Sequence, residues 1–127
     1  MKFMSMVKSN ENVKAYPPPA MMEAMGKLIE KSQKDGKLVI TGGLAPTATA
    51  VRMRLENGQI RVVDGPYSEA KEVVGGFAIL NLESREEAVE AAKEFLELHR
   101  RYWPDWTGEC EIRQMFGPED FDPNFQG

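Results

Sequence analysis

Cysteine and histidine each occur once in the 127 residues, as Cys110 and His99. A lone cysteine cannot close an intramolecular disulfide, and neither residue has a Cys or His neighbour at metal-ligand spacing, so zinc and dithiol chemistry have no basis here. A reducing compartment is the expectation. Long apolar runs are missing too. The first, Phe3 to Val7 between Lys2 and Lys8, is too short for a signal-peptide core or a membrane span, which predicts a cytoplasmic protein with no membrane association. Basic charge is in deficit, with 16 Lys and Arg against 20 Asp and Glu and a net charge of -4. Direct nucleic-acid binding, which needs a basic face, is therefore not expected. Phosphate-cradling loops are absent as well, because Gly42-Gly43 and Gly75-Gly76 lack the required spacing. No cofactor and no metal are predicted.

What remains has the composition of an ordinary globular domain, 42% hydrophobic and 28% charged, with one core expected at this length. Lys2 to Lys8 reads as a strand, ended by the polar turn Ser9 to Asn12. Pro17, Pro18 and Pro19 set up a helix whose Met21, Met22, Met25, Leu28 and Ile29 recur at helical spacing, and which should stop near Asp35 and Gly36. Leu38, Val39 and Ile40 form a second strand, predicted to end at Gly42, Gly43 and Pro46. Gly75-Gly76 opens a strand through Leu80. Ser84 and Glu87 then stand at capping-box spacing before a helix with the stripe Ala88, Ala91, Ala92, Phe95 and Leu98, which Pro104 limits. The last strand, Glu109 to Phe116, alternates Cys110, Ile112, Gln114 and Phe116 against Glu109, Glu111, Arg113 and Met115.

Asn57-Gly58 is the clearest local signal, because both residues tolerate the positive φ of a type I′ hairpin turn. It sets Glu56 opposite Gln59, Leu55 opposite Ile60 and Met53 opposite Val62, with Arg54 opposite Arg61 and Arg52 on the arginine face. Such a cluster of like charges calls for an anion or an acidic segment, for which the tail bearing Glu119, Asp120 and Asp122 is a candidate. The order β-α-β, hairpin, β-α-β predicts an α+β domain, a ferredoxin-like split βαβ sandwich with an inserted β-hairpin. Two helices cover one face of such a sheet, so the other is solvated or covered by a second subunit.

Asp64 to Phe77, which joins an Asp-Gly-Pro-aromatic turn, a Glu-x-Lys-Glu stretch and a Gly-Gly-Phe strand start, resembles the signature of the DGPF group of YCII-related proteins. Gly42-Gly43-Leu44 and Thr49 also fit, and the resemblance runs from Lys2 to Phe116. It implies a domain over residues 1–116 with an acidic tail over 117–127. It also implies a dimeric α+β barrel, in which the sheets of a homodimer face each other and enclose a pocket. The enzymatic role inferred for the wider group rests on a histidine and aspartate pair, and DGPF proteins are associated with extracytoplasmic-function sigma factors. Tyr67 stands where the motif has phenylalanine, and the first half of the chain has no histidine, so the histidine role does not carry over by position.

The candidate catalytic groups are Asp64, His99 and Glu111. Asp64 either caps its own turn or presents a carboxylate to a pocket. His99 follows Phe95 by one helical turn, beside the buried stripe, as a general base or as a structural imidazole at a helix C-terminus. Glu111 shares the open face of the last strand with Glu109 and Arg113, which would line an interface cavity. Candidate ligand-binding residues are Tyr67, Lys71 and Glu72 of the signature loop, Trp103 and Trp106 as a pocket wall or an aromatic latch, and Glu109 and Arg113. Two functions fit: a small-molecule enzyme using acid-base chemistry in a dimer-interface pocket, or a non-catalytic ligand-binding or regulatory module of sigma-factor-dependent transcription. Convergence of His99 with a carboxylate on a cavity favours the first, and an apolar cavity with scattered polar groups the second.

Overall fold

Strand alternation divides the chain between two sheets in a computed structural model that describes residues 1–13, 16–67, 72–121 and 124. The elements are β1 (Lys2–Ser9), α1 (Pro19–Lys34), β2 (Leu38–Gly43), β3 (Val51–Glu56), β4 (Gln59–Asp64), β5 (Val73–Asn81), α2 (Arg85–Tyr102), β6 (Glu109–Met115) and a short α3 (Pro118–Phe121). The main sheet has the order β2-β5-β1-β6, with every neighbouring pair antiparallel, and β3-β4 is a separate two-stranded sheet. The class is α+β, as expected.

In the main sheet the register pairs Phe3 with Leu80 and Gln114, and Ser5 with Ala78 and Ile112. That face looks toward the helices: Phe3, Leu82 and Ala88 form the buried core, with Leu80 and Ile112 packed against it. The alternate set, Met4, Met6, Phe77, Ile79, Glu111 and Arg113, therefore lies on the opposite face. Burial is sparse: among the described residues, Phe3, Met21, Leu82, Ala88 and His99 are the buried ones. The expected stripe residues Ala91, Ala92, Phe95 and Leu98 are only half-buried.

Both long helices are bounded by local chemistry. Pro19 occupies the first helical position of α1, where its missing N–H costs nothing. At its end Gly36 turns left-handed at φ 71°, and Gly36 N–H donates to the Gln33 carbonyl while Lys37 N–H donates to that of Ser32, the paired bonds of a Schellman cap. Ser84 caps α2 by accepting from Glu87 N–H at 3.1 Å, and the Glu87 carboxylate accepts from Glu83 N–H at 3.0 Å. Glu87 thus reaches one residue further back than the expected capping box.

Strand β2 overruns its predicted end and continues through Gly42 and Gly43, which pair with Phe77 and Gly76. A β-carbon on Gly42 would stand 3.4 Å from the Phe77 ring, and one on Gly76 would stand 3.3 Å from the Gly42 carbonyl oxygen. The glycines read as breakers are the residues that let β2 and β5 approach there. The hairpin follows the predicted register from Met53↔Val62 to Glu56↔Gln59, and Asn57 and Gly58 have φ of 51° and 77°. Arg54 and Arg61 pair with Glu56 of the hairpin itself, at 2.9 Å and 3.6 Å. The side chain of Glu119 and the whole of Asp122 lie outside the described residues.

Candidate functional site

A cleft of about 1380 Å³ lies between the helix layer and the main sheet. Met22, Met25, Leu28 and Ile29 of α1, Ala91 and Phe95 of α2, and Val7, Ala78 and Leu80 of the sheet line it, with Ser5, Thr41 and His99 as polar groups and charged side chains of both helices and the α1 C-cap, among them Lys31, Asp35, Glu87 and Glu94, also in its lining. The cleft follows from side-chain size. Alanines at 78, 91 and 92 do not span the distance between layers, so the methionines and leucines facing them leave space.

Among the described residues His99 is the buried titratable group of this region, 6% exposed. Its ring stands 4.2 Å from that of Trp106, 4.6 Å from Phe95 and 6.0 Å from Trp103. Nδ1 lies 3.0 Å from the Phe95 carbonyl. A carbonyl can only accept, so the proton sits on Nδ1 and Nε2 carries the lone pair. Burial lowers the His99 pKa from its usual value of 6.5, against the smaller upward pull of the Phe95 carbonyl; at neutral pH the ring is uncharged. Trp103 and Trp106, close the helix end over this ring and line the cleft as well, so the latch and wall readings describe the same two side chains.

A second group lies on the opposite face of the main sheet. Lys8 is ion-paired with Glu111, and Arg113 stands 3.9 Å from the same carboxylate. The hydrogen bond from Lys8 holds the Glu111 pKa below the usual carboxylate value, and the reciprocal bond, with the fields of Glu109 and Glu72, raises that of Lys8. Glu72, Glu109, Glu111 and Arg113 are thus gathered around a lysine that was not among the candidates. The signal was available, because Lys8 shares the alternation of Met4 and Met6.

The signature loop forms a third group. Thr47 N–H donates to Glu11 at 2.9 Å and its hydroxyl donates to the same carboxylate, which holds the Glu11 pKa down. Tyr67 N–H donates to Thr47 Oγ1 at 3.2 Å, and Gly65 N–H to the Ala50 carbonyl at 2.8 Å. The Arg52 guanidinium sits 3.8 Å from the centre of the Tyr67 ring, a cation-π contact. Asp64 is exposed at the end of β4, opposite Val51. Lys71 lies outside the described residues. Glu11 and Thr47, which hold the loop, were missed because nothing in the order of residues joins positions 36 apart.

Asp64, His99 and Glu111 are thus distributed over the hairpin end, the helix-side cleft and the opposite sheet face. Among the described residues no three His, Cys, Asp or Glu side chains come together as a metal-ligand set, and no helix is long and apolar enough to cross a membrane.

The YCII-related domain model matches residues 1–95, three quarters of the chain. The protein belongs to the YCII-related domain family. An uncharacterised protein of Rhizobium meliloti (strain 1021) is 30% identical over 95 residues, covering 75% of this chain and 73% of its own. The family match takes in β1 to β5, the signature loop and most of α2. It ends before His99, Trp103, Trp106 and β6, so the aromatic enclosure of the cleft and the strand bearing Glu111 lie beyond the matched part of this YCII-related chain.

Proposed function

We propose that this protein is a cytoplasmic, non-catalytic small-molecule-binding module of ferredoxin-like fold that works as a homodimeric α+β barrel. The ligand enters the cleft between helices and main sheet. The antiparallel order β2-β5-β1-β6 with helices on one face supports the ferredoxin-like reading. The opposite face, with Met4, Met6, Phe77 and Ile79, is the surface a second sheet would cover.

The cleft carries the binding reading. Its exposed lining is more apolar than polar and it is ample for a compact organic ligand; the buried imidazole, the hydroxyls of Ser5 and Thr41 and charged groups such as the Lys37–Glu87 pair are the available orienting groups. The acid-base enzyme reading has less support, because Asp64, His99 and Glu111 share no surface from which two of them could act on one substrate. A regulatory use in sigma-factor-dependent transcription is the setting that the DGPF resemblance implies for such binding.

Titration with the fluorescent probe 8-anilino-1-naphthalenesulfonate tests the site. One saturable site per chain is expected, weakened at least tenfold by Ala91→Phe, which fills the cleft. Undiminished affinity in that variant overturns the assignment. Met6→Glu, on the open face, should halve the mass measured by light scattering, and an unchanged mass removes the barrel.

A further inference from the structure

The hairpin presents five large apolar side chains to water on one face: Val51 55%, Met53 66%, Leu55 73%, Ile60 68% and Val62 60% exposed. The pairings Met53↔Val62 and Leu55↔Ile60 place them side by side as one continuous patch. Arg54, Arg61 and Glu56 satisfy one another on the reverse face. The principal contacts of β3 and β4 are with each other, so the hairpin projects from the domain. A lone two-stranded sheet is marginal in water and needs a layer packed on its apolar face.

We infer that this face is a self-association surface, on which the same hairpin of a second copy of the chain packs face to face. The inference goes beyond the barrel proposed above and uses a different part of the molecule. Asp64, opposite Val51 at the end of β4, is the one charged residue on this face; from Met53 to Val62 the face is uncharged, so the surface that complements that part must be equally apolar. A two-fold copy supplies that surface while leaving every arginine in solvent. The area suffices: side chains of these sizes at these exposures leave on the order of 600 Å² per hairpin, and a pair buries about 1,200 Å², where specific interfaces begin.

Light scattering of the full chain at micromolar concentration tests this with Leu55→Glu combined with Ile60→Glu. The expected result is a halving of mass relative to the unsubstituted protein, with an unchanged far-ultraviolet dichroism spectrum. A second measurement does not rely on that variant folding. Met53→Cys in a Cys110→Ser background, treated with a short bis-maleimide, should give a covalent pair of chains. An unchanged mass in the folded double variant, or no covalent pair, overturns the inference. If Met6→Glu leaves the mass unchanged while the hairpin variant halves it, the barrel fails and the hairpin interface stands; the reverse result removes the hairpin interface alone.

Discussion

Three residues control most of the site geometry. Gly65 sits where a β-carbon would lie 1.6 Å from the Thr47 carbonyl oxygen and 2.7 Å from its carbon, both backbone atoms that cannot swing away. Gly65→Ala should cost about 3 kcal/mol or more, since overpacking against backbone lies at the upper end of such penalties, and a urea denaturation midpoint will show it. At Gly108 a β-carbon would meet the Trp106 ring at 2.4 Å and the Lys8 carbonyl at 2.6 Å. Gly108→Ala should therefore displace Trp106 from His99, raising the His99 pKa toward its ordinary value as water reaches the ring; the imidazole proton shift followed against pH by NMR measures this. His99 itself sets a pH dependence. Its folded pKa is depressed, so the unfolded chain takes up a proton first as pH falls, and stability declines from about pH 6.5 downward. His99→Gln should abolish that decline. It should leave a later loss, below the ordinary carboxylate value of 4.5, where Glu11, Glu87 and Glu111 lose the bonds that lower their pKa values.

Among the elements, the hairpin and the α2 N-terminus are the ones whose local chemistry can be tested singly. Asn57 holds φ 51°, which alanine adopts only with strain, so Asn57→Ala should destabilise by about 1 kcal/mol. An unchanged denaturation midpoint would count against the turn. Ser84→Ala removes the acceptor for Glu87 N–H and should cost about 1 kcal/mol. The effect on α2 extends to the site, because the same helix carries His99 at its other end. Strand β2 teaches the opposite lesson: two glycines normally end a strand, yet here they extend it, because the approach of β5 favours residues without side chains.

For the whole molecule, the open question is what completes a core in which few side chains are enclosed. A ligand filling the cleft binds the folded state alone, so a ligand held at a hundredfold excess over its Kd should add about 2.7 kcal/mol. Differential scanning calorimetry would register this as a raised Tm, and a probe that saturates without raising Tm is not binding in the cleft. The charged group around Lys8 and the apolar hairpin face mark two further surfaces, one on the sheet and one projecting from it. Each is addressed by its own substitution, Met6→Glu or Leu55→Glu with Ile60→Glu.

The sequence by itself determined the elements whose causes lie within a few residues. The Asn57-Gly58 turn and its register, the stop of α1 at Gly36, the Ser84 cap, and the alternation that put Glu109, Glu111 and Arg113 on one face all rest on local backbone geometry and period. The family was legible in the Asp64 to Phe77 signature for the same reason. Tertiary structure alone decided which of these residues meet. Lys8 reaches Glu111 across 103 positions and Glu11 reaches Thr47 across 36, because strand order brings distant segments together and no local pattern encodes that order. It also decided that Asp64, His99 and Glu111 occupy separate surfaces: a strand's two faces differ by one residue in sequence, but they are separated in space by the whole thickness of the sheet.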